Sequence, residues 1–290
     1  MAKRLILDTD IGSDIDDAYA MALILASPEL DLVGVTVAHG KTDQRARLAL
    51  KMLYETGNEH IPVAVGRQTP CRPGAVNQAP WAEDFETTQP IAQTAAEFIV
   101  EHVNAAPGEI TIVPIGPFTN ISDALKLDPS LAEKVAEIVL MGGCVGWPNG
   151  ATPEIWPEHN IATDIPASQV MVSCGARMTM VPLDATMKVR LEAENRARIA
   201  ERGTPLTDAL VAMLALWPGE TPVLHDPLAV AMAMDPTCCG VADLRLEVDD
   251  QGYTRALEGA PNMTVAVTPH VGRFLHTFME RLLGQDLRRL

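Results

Sequence analysis

The sequence has few cysteines and a shortage of positive charge. Its five cysteines are an odd number, scattered along 290 residues without a C-x-x-C spacing. This usage argues against a disulfide framework and a structural zinc site, and it favours a reducing compartment, the cytoplasm. Lys and Arg number 22 against 38 Asp and Glu, which gives a formal net charge of −16. Nucleic acids and anionic membrane surfaces are therefore poor partners for this chain.

Long apolar runs are missing as well. No segment is long and apolar enough to cross a bilayer, and the apolar run after Arg4 ends after three residues at Asp8, unlike a signal peptide. Hydrophobic residues make up 47% of the chain and charged residues 21%, as in an ordinary globular protein. No repeat, low-complexity linker or break in composition divides the sequence. We therefore predict one domain over residues 1–290.

Strand-like and helix-like segments alternate from the start of the chain. Short apolar runs at 5–7, 30–37 and 110–114 each precede a segment with helical spacing. Connections this short between successive strands favour a parallel sheet with right-handed crossovers. Residues 244–267 carry two or three strand-like runs that favour antiparallel pairing. The predicted fold class is therefore α/β, a single doubly wound, mainly parallel sheet flanked by helices, with a small C-terminal antiparallel addition.

Five aspartates follow the first predicted strand within ten positions: Asp8, Asp10, Asp14, Asp16 and Asp17. Carboxylates that face one another at close range take up protons or bind a positive charge. A hard divalent cation with oxygen ligands, Ca²⁺ or Mg²⁺, suits such a set. For Asp14 or Asp16 a simple helix-capping role is an alternative.

Four polar loops adjoin predicted strands or begin helices, at residues 8–17, 115–120, 142–160 and 224–227. In this architecture, ligands bind at the carboxyl ends of the strands, so we expect the loops to converge there. The first and last supply carboxylates, and the third supplies amide and acid side chains. Together they predict a metal site lined with hydrogen-bonding groups suited to a sugar.

A long irregular stretch, residues 69–90, is typical of a lid or binding loop. Trp81 lies on it, and Trp147 and Trp156 lie on a second irregular stretch at 144–165. Such aromatic side chains stack on a nucleobase or anchor their loops to the core. Both roles are open for these three residues.

Several motifs occur in a fixed order along nearly the whole chain. They are Asp8-Thr9-Asp10-Ile11-Gly12 with Asp16-Asp17-Ala18, Val113-Pro114-Ile115-Gly116-Pro117-Phe118-Thr119-Asn120, Val139-Leu140-Met141-Gly142-Gly143, Glu158-His159-Asn160 and His225-Asp226-Pro227. In this order and spacing the sequence resembles the calcium-dependent nucleoside N-ribohydrolases of the inosine-uridine preferring type. The resemblance implies hydrolysis of the N-glycosidic bond of ribonucleosides to ribose and free base. It also implies a cytoplasmic enzyme of purine and pyrimidine salvage that assembles as a homo-oligomer, a dimer or a tetramer.

The resemblance assigns expected roles to individual residues. Asp10 is expected to bind Ca²⁺ and to act as general base on the attacking water. The other implied metal ligands are Asp17, Asp226 and the backbone carbonyl of Ile115. The residues implied to contact or pack near the ribose are Asp16, Met141, Asn149, Glu158 and Asn160. His225 is expected to protonate the leaving base, and the alternative is that it orients Asp226. For Asn149 and Asn160 the alternative to a ribose contact is a turn-capping role.

The sequence also permits other functions. Lys41 stands where the family usually carries Asn, and we expect it beside the metal site, where it could pair with a carboxylate or contact an acidic substrate group. This change and the altered 69–90 loop leave two alternatives: a nucleoside or ribose binder with an impaired site, and a hydrolase of a modified riboside. A haloacid-dehalogenase-like phosphatase would share Asp8-Thr9-Asp10, but it requires a downstream Lys and an acidic pair at a strand end that the later motifs replace.

Overall fold

The computed structural model describes residues 2–148, 150–152 and 154–287. The strands in this part of the chain are β1 (Lys3–Thr9), β2 (Leu30–Val37), β3 (Val63–Val65), β4 (Ile110–Pro114), β5 (Glu137–Met141), β6 (Met178–Val181), β7 (Cys239–Val248), β8 (Thr254–Leu257) and β9 (Met263–Pro269). The helices are α1 (Asp16–Leu25), α2 (Thr42–Glu55), α3 (Ala95–Ala105), α4 (Thr119–Leu127), α5 (Leu131–Lys134), α6 (His159–Thr163), α7 (Ile165–Val172), α8 (Leu183–Thr186), α9 (Ala193–Arg202), α10 (Pro205–Leu216), α11 (His225–Met234) and α12 (Val271–Gly284). Two 3₁₀ turns, Ala79–Ala82 and Pro236–Cys238, complete the description.

All the strands belong to one sheet, in the order β3-β2-β1-β4-β5-β6-β9-β7-β8. Strands β1 to β6 pair in parallel, and β9 extends this parallel part by pairing with β6. Strand β7 is antiparallel to both β9 and β8. The predicted α/β fold with a mainly parallel sheet and an antiparallel C-terminal part is confirmed. The structure adds that β9 is itself a parallel member of the main sheet.

The chain reverses its direction across the sheet next to β1. Strands β2 and β3 lie on one side of β1, whereas β4, β5 and β6 lie on the other. The loops that leave β1 and β4 therefore separate to opposite faces and open a crevice at their carboxyl ends, the usual ligand position in such folds.

Helices cover both faces of the sheet. Leu5 and Leu7 of β1 lie in an apolar cluster with α1, α2, α10, α11 and α12, whereas Ile6 lies in a second cluster with α3, α4 and α7. Successive residues of a strand point to opposite faces, so β1 is buried from both sides. The carboxyl end of β1 is consequently held rigidly where the polar loops meet.

Helices α1 and α11 pack against each other on one face of the sheet. Their first turns adjoin, because the amide of Asp226 in α11 donates a hydrogen bond to the side chain of Asp16 in α1. The positive ends of two helix dipoles thus adjoin the aspartates that begin these helices, which favours negative charge there.

Across the described ranges, no helix combines the length and the apolar character that crossing a bilayer requires. The five cysteines are all free thiols, and Cys144, Cys238 and Cys239 are buried.

Candidate active site

A cleft of about 410 Å³ lies at the carboxyl edge of the sheet. The residues that the sequence predicted and that line this cleft are Asp10, Asp16, Asp17, Ile115, Met141, Glu158, Asn160, His225 and Asp226. Asn149, the remaining predicted residue, lies outside the described residues. The polar loops therefore converge as expected, and every predicted site residue that the structure describes lines the same cleft.

Three of these acids form a tight group. Asp16, Asp17 and Asp226 are each buried, and each offers an oxygen such that the three oxygens lie within 4.8 Å of one another. Asp14, the alternative to Asp16 in the sequence, is exposed. The structure therefore places Asp16 and Asp17, and not Asp14, at the first turn of α1 facing Asp226.

Burial raises the pKa of all three carboxyls well above the ordinary value. Neighbouring carboxylates raise the pKa of each one further, chiefly Asp14 for Asp16, Asp10 for Asp17, and Asp16 for Asp226. Desolvated like charges at such range are stable as anions only with a positive charge between them. The donor set, buried carboxylate oxygens alone, fits a hard divalent cation such as Ca²⁺ or Mg²⁺.

Asp10 lies beside this group and close enough to raise the pKa of Asp17. Its Oδ2 is 3.6 Å from a guanidinium nitrogen of Arg45, and Arg45 is completely buried. A Cβ added to Gly116 would lie 2.8 Å from the Asp10 backbone nitrogen and 3.0 Å from its Oδ1. Only glycine at position 116 therefore lets the loop after β4 approach Asp10 this closely.

Asn160 links the loops that follow β4 and β5. Its Nδ2 donates to the carbonyl of Ile115 at 2.8 Å and to the carbonyl of Met141 at 3.2 Å. A carbonyl oxygen has two lone pairs, so the Ile115 carbonyl keeps one for a further partner. The side chain of Asn160 is thus oriented by its neighbours and is not a turn cap.

Glu158 is the N-cap of α6. One carboxylate oxygen accepts from the amide of Asn160, and the other accepts from the amides of Gly143 and Ile161. Burial raises the pKa of Glu158, and these three amides oppose the shift. The ribose contact that the sequence predicts here stays a prediction. The structure shows that this carboxylate fixes the loop after β5 through the amide of Gly143.

His225 begins α11 directly before Asp226. Its Nδ1 lies 2.7 Å from the hydroxyl of Thr186. Burial lowers the pKa of His225 to about 4. With Thr186 at Nδ1, the ring nitrogen left for another partner is Nε2.

The long loop at residues 69–90, which the sequence predicts to be a lid or binding loop, contributes to the cleft. Arg72, Ala75 and Asn77 line it. Asn77 donates to the carbonyl of Ser13 at 2.7 Å, and Gln78 donates to the carbonyl of Asp14 at 2.9 Å. The loop is therefore anchored on the segment that carries the aspartates.

The three tryptophans differ in their surroundings. Trp156 lines the cleft and is 41% exposed. Trp81 packs against the core, with the amine of Lys51 5.0 Å from its ring centroid. Trp147 packs against the second apolar cluster. Trp156 alone of the three is available to a ligand in the cleft.

Sequence reasoning missed two kinds of residue. Trp217 and Pro218 line the cleft, and their position between α10 and His225 was a usable signal. Arg45 was not predicted, and a lone arginine in a helical segment offers no signal of burial. Lys41, expected beside the metal site, is exposed and is not among the residues that line the cleft in the described chain.

Fold and site together define an α/β protein with an acidic cleft at the topological switch of its sheet. The family model "Inosine-uridine preferring nucleoside hydrolase" matches residues 5–276. The chain is 31% identical over 312 residues to a pyrimidine-specific ribonucleoside hydrolase, RihA, of Citrobacter koseri, covering 97% of this chain and 98% of that protein.

Two solved structures are similar over nearly their whole length. The plant nucleoside hydrolase PpNRh1 superimposes with a TM-score of 0.87 at 28% identity, covering 98% of this chain and 100% of that one. A purine-preferring ribonucleoside hydrolase from Gardnerella vaginalis superimposes with a TM-score of 0.85 at 29% identity, covering 97% and 98%. The chain belongs to the inosine-uridine preferring nucleoside hydrolase family. It is accordingly a hydrolase that acts on N-glycosyl compounds, namely ribonucleosides.

Proposed function

We propose that this protein hydrolyses ribonucleosides to ribose and free base with the help of a bound Ca²⁺ and with Asp10 as general base. The observation that carries the proposal is the meeting of Asp16, Asp17 and Asp226 beside Asp10 in one cleft. Two motifs more than 200 positions apart supply these acids, and a binding role explains why they are buried together.

The proposed cation ligands are Asp10, Asp17, Asp226 and the Ile115 carbonyl. The tight packing of Asp16 with Asp17 and Asp226 supports a place for Asp16 next to the ion as well as a contact to the sugar. When bound, such a cation supplies charge that keeps these acids ionised, orients water and lowers its pKa.

The protein's own groups perform the rest of the proposed chemistry. Asp10 accepts the proton of the attacking water, a contribution of roughly 10²–10⁴ in rate. Cleavage passes through a sugar with oxocarbenium character, as in glycoside hydrolysis. The ribose hydroxyls are held by Asp16, Glu158 and Asn160, with Met141 packed nearby. Asn149 is proposed for the same role.

His225 is proposed to assist departure of the base. In the proposed tautomer the Thr186 hydroxyl donates to Nδ1, so that the Nε2–H donates a hydrogen bond to the leaving base. Trp156 and Trp217 line the same cleft, and their rings offer apolar faces to a nucleobase. We leave the base itself open, because one relative is named pyrimidine-specific and another purine-preferring.

We also propose that residues 1–290 act as one nucleoside-hydrolase-like domain in a cytoplasmic homo-oligomer serving nucleoside salvage. The continuous sheet supports one domain, and the free thiols suit a reducing compartment. Light scattering coupled to size-exclusion chromatography measures the oligomeric state directly.

The decisive experiment is a reducing-sugar assay over inosine, uridine, cytidine, adenosine and guanosine. It compares the protein as purified, after exhaustive chelation, and after readdition of Ca²⁺ or Mg²⁺. We expect ribose release from at least one nucleoside, its loss on chelation, and better recovery with Ca²⁺.

Full turnover of a chelated sample with no residual metal would overturn the cation proposal. Binding of ribosides without any ribose release would favour a binder with an impaired site. Release from only a 5′-modified or non-standard riboside would favour the altered-substrate alternative.

A further inference from the structure

Arg45 is the largest fully buried side chain in the described chain. It lies on α2, and its side chain has no exposed surface. A buried charge is costly unless hydrogen bonds and an opposite charge compensate it. The guanidinium therefore needs a structural or functional reason to lie beneath the cleft.

Its hydrogen bonds join the two loops that leave neighbouring strands. Nε donates to the carbonyl of His39 at 2.8 Å, after β2. The two terminal nitrogens donate to the carbonyl of Ile11 at 3.0 Å and to the hydroxyl of Ser13 at 2.8 Å, both after β1. All three acceptors are neutral, so they satisfy donors but not the charge.

The counter-charge is Asp10. The nitrogen that donates to Ser13 lies 3.6 Å from Oδ2 of Asp10, whose side chain is only 7% exposed. On the other side, Oδ1 of Asp10 adjoins Gly116. Asp10 is thus confined between the guanidinium and the loop after β4. Arg45 itself does not line the cleft, since it is absent from the side chains around it.

The loop after β2 adopts an unusual conformation at the same contact. His39 has a φ of 66°, and it is the one non-glycine residue with a positive φ in the described ranges. Its ring bonds to the hydroxyl of Thr69, which also accepts from the amide of Gly40. A strained backbone conformation of this kind persists where several surrounding contacts hold it in place, and such conformations concentrate at functional sites. The hydrogen bond from Arg45 to the His39 carbonyl is one of the contacts that hold this conformation.

We propose that Arg45 is a positioning residue for the hydrolytic step: it fixes the Asp10 carboxylate and the 10–13 segment without touching the substrate. The inference rests on the proposed function of Asp10 as base. Because the fork of an arginine supplies fixed directions as well as charge, lysine cannot reproduce all these contacts.

The test is a double-mutant cycle of Arg45→Met and Asp10→Asn. Turnover is measured on inosine or uridine and on the activated p-nitrophenyl riboside, which keeps the residual activity of slow variants measurable. Arg45→Met should lower kcat by about 10²-fold with little change in KM, as a misplaced catalytic group does. In the Asp10→Asn background the same change should have almost no further effect, because Arg45 acts through Asp10.

Calcium binding by calorimetry provides the second readout. Asp16, Asp17 and Asp226 make no hydrogen bond or ion pair with Arg45 in the described chain, whereas the proposed ligand Asp10 does. Arg45→Met should therefore still bind Ca²⁺ through these three acids, with a loss of affinity much smaller than the loss of turnover. Arg47→Met is the matched control on the same helix, since Arg47 donates to the carbonyl of Glu83 and neither residue lines the cleft in the described chain. It should leave both kcat and calcium binding unchanged.

Three results would overturn the proposal: unchanged kcat in Arg45→Met, losses that add fully in the double variant, or calcium binding lost in parallel with turnover. If Arg45→Met does not fold, Arg45→Lys carries the same cycle, with a smaller loss that again vanishes beside Asp10→Asn. Turnover of the unaltered protein is measured first. Absence of turnover in the unaltered protein refutes the proposed function, whereas the ratio of kcat in the variant to kcat in the unaltered protein tests the role of Arg45.

Discussion

The backbone amide of Asp226 donates a hydrogen bond of 3.1 Å to Oδ2 of Asp16, across 210 positions of sequence. Helix α11 has no side-chain cap from its own N-cap residue, Leu224, and Asp16 of α1 supplies one. The carboxylate of Asp226 in turn joins Asp16 and Asp17 in the tight acidic group. The start of each helix is therefore tied to the geometry of the proposed cation site.

Asp226→Asn should weaken Ca²⁺ binding. At about 4 Å and an effective dielectric constant near 20, a unit charge and a divalent cation interact by about 8 kcal/mol, and even half of this corresponds to roughly 10³ in affinity. Asp31→Asn is the control, because Asp31 is exposed at the amino end of β2 and is not among the residues that line the cleft in the described chain. Isothermal calorimetry should show a much larger loss for Asp226→Asn, and equal losses for the two variants would contradict the assignment.

Asp10→Asn should abolish most ribosyl hydrolysis. Asparagine keeps the shape of the side chain but cannot accept the proton of the attacking water, so kcat should fall by roughly 10²–10⁴. Circular dichroism should show an intact fold, because the amide fits the same space. Unchanged turnover in this variant would remove Asp10 from the mechanism.

His225→Ala should affect substrates according to their leaving groups. If His225 assists the departing base, kcat/KM should fall far more for inosine than for p-nitrophenyl riboside, whose leaving group needs no proton. Thr186→Val removes the hydroxyl that faces Nδ1 and should cause a smaller loss with the same substrate dependence. A uniform loss on both substrates would indicate that His225 merely orients Asp226.

Asn120→Ala should destabilise the fold beneath the site. The Asn120 Nδ2 donates to Oδ1 of Asp8 at 2.7 Å and to the carbonyl of Val37 at 3.1 Å, and all these atoms are buried. Leaving buried acceptors without a donor costs about 1–3 kcal/mol in the free energy of unfolding. Urea denaturation at fixed pH and calcium concentration measures this loss.

Asn104→Ala is the matched control for that experiment, because Asn104 donates to Asp128 and accepts from Lys134 at the surface. Water replaces these partners, so the free energy of unfolding should change little. A similar loss in both variants would mean that the buried network beneath Asp8 has no special part in stability.

Local patterns in the sequence predicted the regular elements well. Strands β2 and β4 have the bounds expected from their apolar runs. Strand β7 begins earlier than expected, at Cys239, because many of its side chains are partly exposed and carry little hydrophobic signal. The pairing of β9 with β6 was not predicted, since a strand's neighbour depends on the path of the whole chain.

The sequence predicted which loops form the candidate site, but only part of the arrangement of their side chains. The rule that ligands lie at the carboxyl ends of parallel strands brought Asp10, Ile115 and Asp226 to one place. It did not show that Asp16 packs with Asp17 and Asp226, whereas Asp10 faces Arg45. Nor did it show that the Glu158 carboxylate already accepts three backbone amides.

The sequence by itself determined which chemical groups are present, in what order, and on which kind of element, because hydrophobic periodicity and turn chemistry act over a few residues. Only the tertiary structure decided the distances among those groups. The contact of Asp16 with Asp226 exists because α1 packs against α11, and the burial of Arg45 exists because loops from two strands converge over α2. Such contacts depend on the packing of the complete core, which no local pattern encodes.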